Sequence, residues 1–123
     1  MKTTRQLVKN IIYYYDECFL CNFYFCIGWK EEEFTRYMKE YFNHDVKNIS
    51  NARGKCFFTE TKNSKTTIIW TRHKRGKDFY ETLAHECIHA AIESLENKDI
   101  FINHDNDEIL TYLVGCLMRK GMS

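Results

Sequence analysis

The chain has 123 residues, of which 44% are hydrophobic, 15% aromatic and 28% charged, and it contains no proline. That composition fits one globular domain with a single core, and it excludes a disordered or fibrous chain. The formal net charge of +1 supplies no global field that would call for nucleic acid or an anionic membrane as a partner.

In chain order, apolar residues at helical spacing (Leu7, Val8, Ile11, Ile12, Tyr15, Phe19) predict a helix from about Thr4 to Phe19. Asn22 to Trp29 is aromatic and reads as a strand or a buried loop. Phe34, Tyr37, Met38, Tyr41 and Phe42 follow the spacing of an amphipathic helix near residues 31–43. Val46 to Lys55 is polar and loop-like. Two strand-like runs follow, Lys55–Thr61 and Thr66–Arg72, joined by a hairpin turn at Lys62-Asn63-Ser64-Lys65. The second run is β-branched or aromatic from Thr66 to Thr71. A helix capped by Asp78 is expected to last to about Glu96. A break follows at Asn97-Lys98-Asp99, then a last helix from about Asp105 to Met118, apolar nearly all round and so expected to be buried. The order predicts an α+β fold, a small antiparallel sheet or hairpin packed with about four helices, in one domain over residues 1–123.

His85-Glu86-Cys87-Ile88-His89 carries the chemistry. Residues i and i+4 lie one turn apart on one helical face, so His85 and His89 can both aim an imidazole nitrogen at one metal ion. Glu86 is rotated about 100° from His85; it is poorly placed to ligate but within reach of a water held by that ion. Two ligands and a general base on one rigid element are the logic of the H-E-x-x-H pattern. The same helix sets Leu83, Ala84, Cys87, Ile88, Ala91, Ile92 and Leu95 on one half of its wheel, which puts the motif at the edge of a cleft.

Two imidazoles under-coordinate zinc, so a third ligand must come from elsewhere. A histidine six residues after His89 is absent, because position 95 is Leu95. Glu108, nineteen residues after His89, can supply a carboxylate from the last helix. The same residue also reads as the glutamate of a capping box begun by Asp105. His104 and Asp105 are the fallback donors. An oxyanion stabiliser is expected among Tyr112, His104 and His73.

His85-Glu86-x-x-His89-Ala90, followed by Asn106 to Gly115, resembles the gluzincin branch of the zincin metallopeptidases, and more closely the minimal zincin-like proteins of tailed bacteriophages. The resemblance covers about residues 66–118. It implies one zinc ion held by His85, His89 and Glu108, with Glu86 as the base that activates a water to hydrolyse a peptide bond. It also implies that the strand Ile68-Ile69-Trp70-Thr71 is an edge that pairs with an extended peptide substrate. A peptide or protein is then the expected partner, and the host cytoplasm the compartment if the chain is phage-encoded. The competing reading is a zincin-fold binding or structural protein without turnover, such as a phage morphogenesis or host-interaction component.

The remaining signals are weaker. The opening MKTTRQLVKN lacks the pattern of a secretory signal, so the cytoplasm is expected and the six cysteines are expected as free thiols. The most apolar stretch, Ile11 to Trp29, is broken by Asp16, Glu17 and Asn22, so no membrane span is expected. Cys18, Cys21 and Cys26 lack a second pair for a structural zinc site and read as core. Arg72-His73-Lys74-Arg75-Gly76-Lys77 is basic enough to contact phosphate but reads first as a solvated loop.

Overall fold

The computed structural model describes residues 10–61 and 64–123. Its described elements are β1 (Ile11–Asp16), β2 (Cys21–Ile27), α1 (Glu31–Phe42), β3 (Gly54–Thr61), β4 (Ser64–Thr71), α2 (Lys77–Glu96) and α3 (Asp107–Gly121). The fold is α+β. The four strands form one sheet in the order β1-β2-β4-β3. β1 and β2 are antiparallel, β2 and β4 parallel, β4 and β3 antiparallel. The sheet is therefore mixed where an antiparallel one was expected. Three helices are described; the residues before position 10 lie outside the description.

The predicted first helix is corrected over its described part. Ile11 to Asp16 is an edge strand, in register with β2 from Ile11↔Cys26 to Asp16↔Cys21. Its apolar residues fit both periods, and pairing with β2 favours the extended form, which suits β-branched and aromatic side chains. Asp16 ends the strand. Its buried carboxylate accepts from the Phe19 backbone N–H at 2.9 Å and from the Tyr14 hydroxyl at 2.8 Å.

β4 is one of the two inner strands, with β2, and is covered on both faces, which is why Thr66 to Thr71 are all buried. Alternation sends Ile68 and Trp70 to one side, where they join Phe34, Tyr37 and Met38 of α1. Ile69 points the other way, with Phe23 and Phe25 of β2, into the layer made by α2 and α3. The buried hydroxyls find partners: Thr67 Oγ1 lies 3.2 Å from Ser94 Oγ, and Thr71 Oγ1 donates to the His73 carbonyl at 2.7 Å. The predicted hairpin turn falls partly on residues 62–63, outside the described residues, while Ser64 and Lys65 already belong to β4.

Both expected helix caps are corrected. The N-cap of α2 is Gly76, and Asp78 sits inside the first turn, 3.5 Å from Arg53. The N-cap of α3 is Asn106, whose side chain caps no helix N–H. Its Oδ1 accepts from the Asn103 N–H at 2.8 Å and its Nδ2 donates to the Phe101 carbonyl at 2.9 Å, so the Asp105–Glu108 capping box does not form. α3 is also less enclosed than expected. Leu113, Cys116, Leu117 and Gly121 are buried, while Tyr112 is exposed. No described helix is long and apolar enough to cross a membrane.

Candidate functional site

α2 packs its Leu83, Cys87, Ala91 and Leu95 side into the core and turns His85 and His89 outward. The two imidazoles meet edge to face, with Nε2 atoms 3.1 Å apart and ring centroids 4.6 Å apart. Glu86 lies between this pair and the sheet. It is buried, and its Oε2 stands 4.0 Å from His85 Nε2. Ile88, expected on the apolar side, is 43% exposed, so the core-facing arc is narrower than the wheel predicts.

β3 forms the opposite wall. Ala52, Gly54, Lys55, Cys56 and Phe58 line a cleft of about 390 Å³ with His85, Glu86, His89 and Glu93. The wall is held to the helix by Cys56 Sγ, which donates to the Glu86 carbonyl at 3.3 Å. It can come this close because position 54 has no side chain; a β-carbon there would meet Thr82 and the Trp70 carbonyl.

The electrostatics follow from this placement. Burial pushes the Glu86 carboxyl above its ordinary range, and His85, His89 and Lys55 pull in the opposite direction without cancelling the rise. A carboxyl with a raised pKa beside two imidazoles in a cleft has the character of a group that takes and returns protons.

The donor pair fits a divalent cation. A tetrahedral ion about 2.0–2.1 Å from two imidazole nitrogens holds them about 3.3 Å apart, close to the separation present. The same 3.1 Å also suits a hydrogen bond in which one ring carries the Nε2 proton. No group of three or more His, Cys, Asp or Glu side chains that could hold a metal ion occurs among the described residues. Glu108 is exposed in the first turn of α3 and does not join the pair.

The other expected residues fall outside the cleft. Tyr112 stands beside the β1–β2 turn, its hydroxyl 3.6 Å from Cys18 Sγ and its ring against Phe19. His104 is exposed in the segment before α3, and His73 is exposed in the loop before α2. Neither lines the cleft. The strand Ile68-Ile69-Trp70-Thr71 is not an edge. β4 is hydrogen-bonded to β2 on one side and β3 on the other, so it has no free backbone for a peptide, and the free edge beside the site belongs to β3.

Sequence reading missed the β3 wall and Glu93. Glu93 was accessible from spacing, since it continues the His85, His89 series by one more turn. The role of β3 was not, because it depends on which strand ends up outermost. All six cysteines are free thiols, with Cys21 and Cys26 buried and Cys18 exposed. No protein-family model, no curated protein and no solved structure matches the chain.

Proposed function

We propose that the chain is a zinc-dependent peptidase of the zincin type, in which His85 and His89 hold one zinc ion and Glu86 is the general base. The observation that carries this reading is the pair of converging Nε2 atoms, 3.1 Å apart, with a buried carboxyl of raised pKa next to them. When bound, zinc supplies Lewis acidity at the substrate carbonyl and makes water easier to deprotonate. Glu86 accepts the proton from the attacking water and returns it to the leaving nitrogen; its desolvated position favours the protonated form that this return requires. The free edge of β3 offers main-chain N–H and C=O groups to an extended peptide, which would add as a further strand beside the motif helix.

Glu108 is the proposed third donor, brought in by a shift of the first turn of α3. That turn has no side-chain cap, because Asn106 bonds to Asn103 and Phe101 instead, so its rearrangement breaks no capping bond. The second reading is a catalytically idle zincin-fold binding or structural protein, such as a phage morphogenesis or host-interaction component. Incubation of the zinc-loaded protein with a peptide library separates the two. The peptidase cleaves, cleavage stops with a chelator and resumes with zinc, and Glu86→Gln keeps zinc but loses cleavage. One zinc per chain with no cleavage by the unsubstituted protein would leave the binding module.

A further inference from the structure

Tyr112, which lies outside the cleft, links two thiols. Its hydroxyl is 3.6 Å from Cys18 Sγ and also hydrogen-bonds Cys116, one turn further along α3. Cys18 is exposed in the turn between β1 and β2, whereas Cys116 is buried. Cys116 Sγ also accepts from Arg119 Nη2 at 3.4 Å, and the Tyr14 hydroxyl, which donates to Asp16 at 2.8 Å, is a further hydrogen-bond partner of the same thiol. Two sulfurs from distant segments of the chain thus share one hydroxyl. Small movements bring them together. Tyr112 is 48% exposed, so its hydroxyl can swing out to solvent. The turn can shift toward α3 without loss of strand pairing, which ends at Asp16↔Cys21. The other thiols are placed differently. Cys21 has the C-x-x-C spacing from Cys18, but it is buried in the core and its Sγ donates to the Phe19 carbonyl at 3.3 Å. Burial holds the thiols of Cys21, Cys26, Cys56 and Cys87 above their ordinary range, which keeps them protonated and poor nucleophiles.

We infer that Cys18 and Cys116 are a disulfide-forming pair, in which exposed Cys18 meets the oxidant and Cys116 resolves it, with a low-molecular-weight disulfide such as oxidised glutathione as the oxidant. Cys18 attacks as the thiolate, bonds to one glutathione sulfur and releases the other glutathione. Cys116, also as the thiolate, then attacks Cys18 Sγ, and the second glutathione leaves. The two protons lost by the cysteines end on the two glutathiones, and the two electrons of the cysteine pair reduce the glutathione disulfide. An accessible thiol beside a buried resolving one is the arrangement such chemistry needs. The bond ties α3 to the β1–β2 turn. None of this depends on the peptidase reading, since the pair lies outside the cleft.

The test treats the folded, reduced protein with oxidised glutathione, blocks the remaining thiols, and maps the tryptic peptides by mass. Of the six thiols, two are expected to be lost, with a link between the peptides of residues 10–30 and 99–119 that dithiothreitol reverses. Cys116→Ser is expected to stop at the mixed disulfide, heavier by one glutathione on Cys18. Cys18→Ser, at an exposed position that leaves folding intact, is expected to keep all its thiols, and Cys21→Ser to form the link as the parent does. An unchanged thiol count in the parent overturns the inference. So does a bond within the 10–30 peptide, which would assign the chemistry to Cys18 and Cys21. A disulfide between two chains, or a mixed disulfide that persists on Cys18 with Cys116 present, overturns it as well.

Discussion

A β-carbon added to Gly54 would stand 3.5 Å from Cγ of Glu86, and it would also come within 2.5 Å of Thr82 Cγ2 and 2.7 Å of the Trp70 carbonyl oxygen. The glycine is thus what lets the edge strand lie against the helix that carries the motif. Thr82 can turn its methyl group away, but the Trp70 oxygen belongs to the backbone of β4, an inner strand. Gly54→Ala is expected to cost about 1–3 kcal/mol of stability by overpacking and to lift β3 from Glu86. Urea unfolding measures the cost. In Gly54→Ala with Thr82→Ser the methyl is removed and the carbonyl stays, so recovery should be partial. Full recovery would assign the conflict to Thr82 alone, and no loss in the single variant would show that the strand yields freely.

The imidazole pair predicts a metal-dependent stability. An ion that binds only the folded chain adds about 2.7 kcal/mol at a hundredfold excess over its Kd, so the melting temperature should rise with zinc and fall back with chelator. Calorimetric titration should give one zinc per chain. His85→Ala and His89→Ala each remove one of two anchors and should weaken binding by more than about tenfold, since losing even an outer-shell partner costs that much. Glu108→Ala should weaken it comparably if α3 rearranges to complete the site. Unchanged affinity would strike Glu108 from the donor set and strengthen the binding-module reading.

What was legible in the sequence is what local spacing determines. His85 and His89 converge as i, i+4 geometry requires, and α1, α2 and the strand β4 fall close to their predicted spans because their patterns have one reading. Ile11 to Asp16 had two. Its spacing suits a helix, and the strand wins only through hydrogen bonds to β2, a tertiary fact that a local window does not contain. The same limit explains the misplaced substrate edge. Ile68 to Thr71 is the most strand-like run in the chain because it is buried on both faces, and that burial is the reason it is an inner strand and unavailable. β3, with Gly54, Lys55 and Cys56, is more polar and looks less like a strand, as an edge should. Glu86 was recognised by pattern, but its burial depends on the approach of Gly54 from a distant segment. The caps at Asp78 and Asp105 failed for a related reason: other groups nearby, Arg53 for one and the Phe101–Asn106 loop for the other, offered those segments different bonds.

Arg72, which the sequence presents as the start of a basic run, is a structural clamp. Its guanidinium donates to the carbonyls of Ala52 at 2.9 Å, Ile49 at 3.0 Å and Ser50 at 3.3 Å, approaches Glu31 at 3.7 Å and lies 5.0 Å from the centre of the Trp70 ring. Those carbonyls belong to the segment that leads into β3, so the clamp helps set the entrance of the cleft. Lysine keeps the charge but cannot reach several carbonyls with a planar fork. Arg72→Lys is expected to cost about 2 kcal/mol by loss of charged hydrogen bonds and to expose residues 49–53 to proteolysis. Chemical denaturation and limited digestion check both. A variant as stable and as resistant as the parent would return Arg72 to the solvated basic loop.

Cys26 gives the chain an alkaline limit that does not involve the site. Its side chain is fully buried between β2 and α1, and burial alone holds the thiol far above its ordinary range. In the unfolded chain the same thiol ionises near about 8.5. The folded state therefore keeps a proton that the unfolded state gives up once the pH passes that value. The contribution is present in full below pH of about 8.5 and is lost as the pH rises, by about 2 kcal/mol at a pH near 10 for this one thiol. Cys56 and Cys87 are shifted in the same direction, Cys87 up to about 12, so the whole protein loses stability faster than one thiol predicts. Cys26→Ala isolates the single term. It should be less stable than the parent at neutral pH because of the space it leaves, and the gap should narrow by about 2 kcal/mol between neutral pH and a pH near 10. Urea unfolding under reducing conditions at the two pH values measures it. A gap that stays constant would mean that the folded protein lets Cys26 ionise in this range, which a thiol sealed between β2 and α1 should not do.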